Sequence, residues 1–79
     1  MPLTIILAAT LRQYVPSYDA GLGHQLEIAE GVSVRDVARR LRIPTEEVKL
    51  IMVDGIHADW DTVLKGKERV AFFPPVGGG

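Results

Sequence analysis

Alternating or continuous apolar residues occur in five short stretches of the chain, which is the pattern of half-buried or buried β-strands. In the first stretch, a period of two points Leu3, Ile5 and Leu7 to one side and Ile6 and Ala8 to the other. The predicted strands are residues 3–9, His24–Ala29, Val48–Val53, Ile56–Ala58 and Glu68–Phe73. The third of these is continuously apolar enough to be central in a sheet, and residues 10–23 are predicted to form a long loop.

A period of three to four residues predicts one helix over Val34–Arg42. Its apolar stripe consists of Val34, Val37, Ala38 and Leu41. Ser33 is a favourable N-cap, and Asp36 can return a capping-box hydrogen bond to it. The helix is expected to end before Pro44, because proline disfavours helical angles at the residue that precedes it.

One amphipathic helix can cover only one face of a four- to five-stranded sheet, so the fold class predicted is α+β. We expect a first hairpin, a helical crossover and a return strand beside the first strand. In the last strand Val70 and Phe72 would pack under the helix, which leaves Phe73 with Ile6 and Ala8 on the uncovered face. An apolar patch on an open sheet face indicates a partner-binding surface.

Composition restricts the classes of function. The 79 residues, 47% of them hydrophobic, suit a single domain at 1–79 with residues 74–79 as a flexible tail. A formal charge of −1 argues against a nucleic acid or an anionic membrane as partner. No cysteine is present and only two histidines are, so neither disulfides nor a protein-only zinc site is expected, and no metal is predicted. No stretch is long enough to cross a bilayer and no secretory signal is visible, so we expect a cytoplasmic protein, monomeric when free.

Several residue groups are candidates for chemistry, but each has a simpler structural interpretation. Asp59 and Asp61 could pair for acid–base work, yet turn-forming, solvated aspartates explain them better. His57 follows the tight-turn dipeptide Asp54-Gly55 and is expected to be a partly exposed surface histidine rather than a base or ligand. The arginines of the helix are more readily interpreted as its polar face; they are Arg35, Arg39, Arg40 and Arg42. The loop tyrosines, Tyr14 and Tyr18, are more readily interpreted as loop anchors. The Gly-Leu-Gly sequence, Gly21–Gly23, is more readily interpreted as part of a turn.

The C-terminal residues Pro74–Gly79 are the most informative stretch. Two prolines keep the exit from the last strand extended, and the three terminal glycines form a thread without side chains. Such a thread can enter a narrow slot in another protein and present its terminal carboxylate there. Composition alone equally allows a frayed end or a linker without function.

The run Phe72-Phe73-Pro74-Pro75-Val76, continued to Gly79, closely resembles the C-terminus of the small, ubiquitin-like subunit of molybdopterin synthase. The wider group includes the sulfur carrier of thiamin thiazole synthesis. The likeness extends through the opening strand, Gly31–Asp36, Val53–Gly55, Asp61–Leu64 and Gly66–Val70. This resemblance implies a β-grasp fold, consistent with the order of elements predicted from the pattern.

The resemblance also implies that the chain is a co-substrate rather than an enzyme. An adenylyltransferase of ubiquitin-activating type would use ATP to adenylate Gly79, next to Gly78, and a sulfur donor would convert it to a thiocarboxylate. The implied acceptor is the large subunit of molybdopterin synthase, with thiazole, cysteine or tRNA thiolation, a ubiquitin-like modifier and an inert interaction module as alternatives. No cofactor would be bound. The implied partner-binding residues are Ile6, Ala8, His57, Phe73, Pro74, Pro75, Val76 and Gly77.

Overall fold

A computed structural model describes residues 2–75 of the chain. The strands are β1 (Leu3–Leu7), β2 (His24–Leu26), β3 (Leu50–Val53), β4 (Ile56–Ala58) and β5 (Arg69–Phe73). The helix α1 spans Val34–Arg40, and two short 3-10 helices span Ala9–Tyr14 and Thr45–Glu47.

The five strands form one mixed sheet in the order β2-β1-β5-β3-β4. β5 lies in the middle, parallel to β1 and antiparallel to β3. β2 and β4 are the edge strands and pair antiparallel with β1 and β3. The α+β prediction is therefore confirmed for the described part of the chain.

One face of the sheet is covered by the hydrophobic core. Leu3, Ile5 and Leu7 are fully buried, as are Val70 and Phe72 of the central strand, so the predicted inward sides of both strands are confirmed. These side chains belong to one buried cluster that also contains Val34, Val37 and Ala38 of α1. Trp60 stacks on Phe72 with ring centroids 5.9 Å apart.

Local sequence signals fix the start of α1. The Ser33 hydroxyl accepts a hydrogen bond from the backbone N–H of Asp36, and the Asp36 carboxylate accepts one from the backbone N–H of Ser33. This is the predicted capping box, which satisfies backbone donors that the first helical turn leaves without partners. The second short helix, Thr45–Glu47, follows Pro44, and no side chain caps it.

The end of α1 comes two residues earlier than predicted, at Arg40 instead of Arg42. Arg42 has a φ of +59°, in the left-handed region, so the helix cannot continue through it. The backbone N–H of Ile43 donates to the carbonyl of Ala38 at 2.9 Å, and that of Arg42 donates to Arg39 at 3.1 Å. This pair of hydrogen bonds is a Schellman motif, so the helix ends at Arg40 through its own C-terminal hydrogen bonds, ahead of Pro44.

Two other predictions about the elements are wrong. The strands are shorter than predicted: β1 ends at Leu7 instead of residue 9, and β2 ends at Leu26 instead of Ala29. Residues 10–23 are not a continuous loop, because the 3-10 helix Ala9–Tyr14 occupies the first part and buries Leu11.

The return strand that was expected beside β1 is β5, which takes the central position of the sheet. β3 has a strand on each side, β5 and β4.

Within residues 2–75, no helix is both long and apolar enough to cross a bilayer.

Candidate partner-binding face and C-terminal tail

The face of the sheet opposite the core, here called the open face, is organised by strand register. Thr4 pairs with Arg69, so Ile6 lies opposite Ala71 across β1 and β5. Ala71 is in turn opposite Met52 of β3, and Met52 is opposite His57 of β4. Because paired residues in a sheet point to the same side, these four residues form a row across four strands. A row parallel to it contains Phe73 and its partner Leu50.

Two shallow hollows lie along these rows and share Phe73 as a common wall. The smaller, about 320 Å³, is lined by Ile6, Met52, Gly55, Arg69, Ala71 and Phe73. The larger, about 610 Å³, is lined by Ala9, Lys49, Leu50, His57, Phe73, Pro74 and Pro75. Both are mainly apolar depressions open to solvent, which suits contact with another protein better than enclosure of a small substrate.

The point at which the tail leaves the sheet is held on both sides. The backbone N–H of Ala8 donates to the carbonyl of Phe72 at 3.1 Å, and that of Lys49 donates to the carbonyl of Phe73 at 2.8 Å. Pro74 is half-buried and Pro75 is exposed. Proline has no backbone N–H, so the sheet cannot continue its ladder through these two residues.

The other end of β5 is fixed by Glu68. Its carboxylate accepts the backbone N–H groups of Lys65, Gly66 and Lys67 at 2.8, 2.9 and 3.1 Å. Burial acts to raise the pKa of Glu68, but the hydrogen bonds from Gly66 and Lys65 outweigh it, so the pKa lies below its ordinary value. The Glu68 carbonyl accepts the N–H of Thr4 at 3.0 Å, which ties this turn to β1.

The titratable side chains that line the two hollows are Arg69, Lys49 and His57, and none of the described residues that line them is Asp or Glu. Arg69 borders the smaller hollow and Lys49 the larger, and both residues are exposed. Within residues 2–75 neither forms an ion pair. Asp54 precedes Gly55, which lines the smaller hollow, and the Asp54 carboxylate accepts the backbone N–H of Arg69 at 2.8 Å.

The structure brings together part of the predicted set of partner-binding residues. Ile6, His57, Phe73 and the two prolines line the two hollows. Ala8 is half-buried where β1 has ended and lines neither hollow. Val76, Gly77, Gly78 and Gly79 lie outside the described residues. What all of these residues bind stays a prediction.

Sequence reasoning missed several residues that line this surface, among them Met52, Leu50, Lys49 and Ala9. Met52 and Leu50 could have been assigned from the period of two within β3, whose Ile51 points into the core. Lys49 and Ala9 carry no such signal, because they lie outside the strands and reach the hollow only through the tertiary fold.

The remaining candidates for chemistry have structural roles. The Asp59 carboxylate accepts the backbone N–H of Asp61 at 2.9 Å, and the Asp61 carboxylate forms an ion pair with Arg35. The hydroxyl of Tyr18 accepts the backbone N–H of Leu7 at 3.0 Å, and Tyr14 packs against the core. Among residues 2–75, no three His, Asp or Glu side chains come together as a metal site.

Solved structures similar to this fold include three archaeal proteins. SAMP1 of Haloferax volcanii has a TM-score of 0.74 at 17% identity, with all of both chains covered. The HVO 2177 protein of the same organism has a TM-score of 0.75 at 22% identity, over 100% of this chain and 87% of that one. A Pyrococcus furiosus protein described as subunit 1 of molybdopterin converting factor has a TM-score of 0.66 at 26% identity, over 96% of this chain and 99% of the other.

Sequence comparison gives the family. No significant match is found among curated protein sequences. The model of the ThiS family matches residues 5–79, which is nearly the whole chain and includes the glycine tail. The mixed five-stranded sheet with one main helix is the ubiquitin-like β-grasp fold of these neighbours, as the resemblance implied. The chain belongs to the ThiS family of ubiquitin-like sulfur carriers.

Proposed function

We propose that this chain carries sulfur as a thiocarboxylate on Gly79, in the cytoplasm, for the biosynthesis of molybdopterin. The observation that carries the proposal is the family match, which continues through the glycine tail to residue 79. The proposal requires Gly79 to be the last residue of the mature chain.

The chemistry begins with an adenylyltransferase of ubiquitin-activating type. The Gly79 carboxylate attacks the α-phosphorus of ATP, which forms an acyl-adenylate and releases pyrophosphate. A hydrosulfide donor then attacks the acyl carbon, AMP leaves, and loss of the thiol proton gives the thiocarboxylate. Adenylation is needed because it replaces an unreactive carboxylate oxygen with a good leaving group.

The folded body contributes position rather than catalysis, so the chain acts as a co-substrate and not as an enzyme. Hydrogen bonds from Ala8 and Lys49 hold the end of β5, and Pro74 and Pro75 stop the ladder there. If a partner contacts the open face at Ile6, Ala8, His57 and Phe73, the chain after Pro75 starts from a fixed position relative to that partner. Gly77, Gly78 and Gly79 lack side chains, so they can pass through a narrow channel that a larger residue would obstruct.

Molybdopterin is the preferred destination of the sulfur for two reasons. The Pyrococcus furiosus neighbour, 26% identical, is described as a subunit of molybdopterin converting factor. The Phe72-Phe73-Pro74-Pro75 run resembles the small subunit of molybdopterin synthase. The acceptor would then be the large subunit of that synthase. Carriers for thiazole, cysteine or tRNA thiolation would use the same first steps.

A second candidate is a ubiquitin-like modifier, in which the activated Gly79 acylates lysines of other proteins. This candidate is favoured by the structural likeness to the small archaeal modifier protein 1 of Haloferax volcanii, with a TM-score of 0.73. Both functions share the adenylation step and differ only in the nucleophile that attacks the adenylate.

Intact mass spectrometry tests the proposal. The purified chain is incubated with an adenylyltransferase of this type from the same organism, ATP and sulfide. We expect a mass increase equal to the difference between one sulfur and one oxygen atom, which disappears when ATP is omitted. An unchanged mass, together with isopeptide-linked conjugates of this chain in cells, would favour the modifier instead.

A further inference from the structure

We propose that Ala9 is a positioning residue, whose left-handed backbone and methyl group restrict the direction in which the C-terminal tail leaves the sheet. This inference rests on the proposed function, because the direction matters only if Gly79 has to reach an adenylation site on another protein. It follows from the backbone conformation of Ala9 and from the hydrogen bonds around Pro74.

The backbone of Ala9 is strained. Its φ of +50° lies in the left-handed region, which glycine adopts freely and a residue with a Cβ adopts only at a cost. Two other non-glycine residues of the described chain have a positive φ, and each has a local cause: Arg42 belongs to the Schellman motif that ends α1, and Asp54 forms a tight turn with Gly55. At Ala9, in contrast, no side chain caps the 3-10 helix that begins there. Strain of this kind beside a candidate site indicates a functional constraint.

Pro74 allows β1 to turn at Ala9. In a parallel pair of strands, a residue donates its N–H to one residue of the neighbouring strand and accepts the N–H of the residue two positions further on. The N–H of Ala8 donates to the carbonyl of Phe72 at 3.1 Å, so the carbonyl of Ala8 would next accept the N–H of residue 74. Pro74 has no N–H, and the Ala8 carbonyl accepts the N–H of Leu11 at 3.1 Å instead. The ladder therefore ends, and the chain turns into the 3-10 helix.

Ala9 borders the exit of the tail on the β1 side. The register of β1 with β5, continued past its last pair, would place Ala9 beside Pro74, and both residues line the larger hollow. On the β3 side, the N–H of Lys49 holds the carbonyl of Phe73 at 2.8 Å. The methyl group of Ala9 thus limits the directions that are open to the chain from Pro74 onwards. A glycine would remove this group and add backbone freedom at the same point.

The direction of the tail should affect the rate of activation rather than the binding of the folded body. Gly79 lies four residues beyond Pro75, so a partner that holds the body has to receive the tail from this exit. Misplacement of a reacting group by about 1 Å can cost about a hundredfold in rate. Loss of the Ala9 methyl group should therefore lower kcat and leave KM unchanged.

Three substitutions separate position from strain. Ala9→Gly relieves the strained backbone and removes the methyl group, whereas Ala9→Ser keeps a Cβ at this position. Arg42→Gly is the matched control, because it relieves a similar φ of +59° at an exposed residue beyond the end of α1. The rate of thiocarboxylate formation is measured by intact mass against the concentration of each chain, with the adenylyltransferase of ubiquitin-activating type from the same organism, ATP and sulfide. Thermal unfolding gives the midpoint of each variant.

Ala9→Gly and Arg42→Gly should each raise the unfolding midpoint by about 3 °C, since both relieve a left-handed residue. Ala9→Gly should nevertheless lower kcat about fivefold, with KM within about twofold of the wild type, and Ala9→Ser should recover most of that loss. Arg42→Gly should keep kcat within about twofold of the wild type.

Three results would overturn the positioning role and leave the carrier function intact. They are an unchanged kcat or a changed KM alone in Ala9→Gly, an equal fall of kcat in Arg42→Gly, and an Ala9→Gly chain that is no more stable than the wild type. A wild-type chain that gains no sulfur would contradict the carrier function, and the positioning role with it.

Discussion

Gly23 lies immediately before β2 and packs closely against Ile5 and Ile6 of β1. Its φ of +80° lies in the left-handed region, and a Cβ there would come within 2.8 Å of Ile6 Cδ1 and 3.0 Å of the Ile5 carbonyl oxygen. The backbone oxygen cannot move as freely as a side-chain methyl group. A glycine is therefore required here by both backbone conformation and space.

We expect Gly23→Ala to lower the free energy of unfolding by about 2 kcal/mol, because the strained φ and the contact with Ile5 both oppose the new methyl group. Gly31→Ala is a matched control. Gly31 also has a positive φ, +94°, but no atom lies within 4 Å of the position that an added Cβ would take, so only the backbone cost of about 1 kcal/mol applies. Urea unfolding of both variants measures the difference, and equal losses would mean that the contact at Gly23 relaxes without cost.

At the scale of elements, the turn Lys65–Lys67 couples the stability of β5 to pH through Glu68. Its pKa in the folded chain lies below the ordinary 4.5. A lowered folded-state pKa means that the stabilisation is complete above the unfolded-state pKa and is lost as pH falls through the folded-state value. Asp19 and Asp36, whose pKa values are lowered by hydrogen bonds from Leu22 and Ser33 respectively, change stability in the same direction.

We therefore expect the free energy of unfolding to fall as the pH is lowered from about 5 to about 3, and Glu68→Gln to reduce that dependence. At pH 7 the variant should be less stable than the wild type, because the amide accepts these three backbone N–H groups less strongly than a carboxylate does. Glu30→Gln removes the same charge from an exposed position and is the control. Chemical unfolding at a series of pH values provides the measurement, and parallel curves for wild type and Glu68→Gln would contradict the role of this turn.

The elements that sequence predicted well are those with local causes. α1 has its own cap at Ser33 and its own apolar stripe, and the turn at Asp54-Gly55 has positive φ values of 51° and 80°, as a tight turn requires. The 3-10 helix Ala9–Tyr14 was missed because distant groups support it. Leu11 is buried in the common core, and Tyr14 packs against that core.

At the scale of the whole molecule, the central position of β5 connects the fold with the candidate site. A local pattern cannot show that the last strand inserts between β1 and β3, because that pairing joins residues far apart in sequence. The pattern did place Ile6 and Phe73 on the uncovered face, whereas His57 required the register of β3 with β4. Two patterns therefore decide which residues line the surface around the tail. The period of two decides which side chains of a strand face it, and the long-range register decides which strands lie next to each other.

This placement of β5 separates stability from function, which makes deletion of Gly78 and Gly79 a decisive test. The core cluster contains Phe72 and no described residue after it, so the truncated chain should have the unfolding midpoint of the full chain. The carrier proposal expects complete loss of thiocarboxylate formation, because the acyl group to be adenylated is then displaced by two residues. Deletion of Met1 and Pro2 shortens the chain equally at its other end and should leave sulfur loading unchanged. If the chain without Gly78 and Gly79 still supported molybdopterin synthesis in cells, an interaction module with an inert tail would replace the carrier.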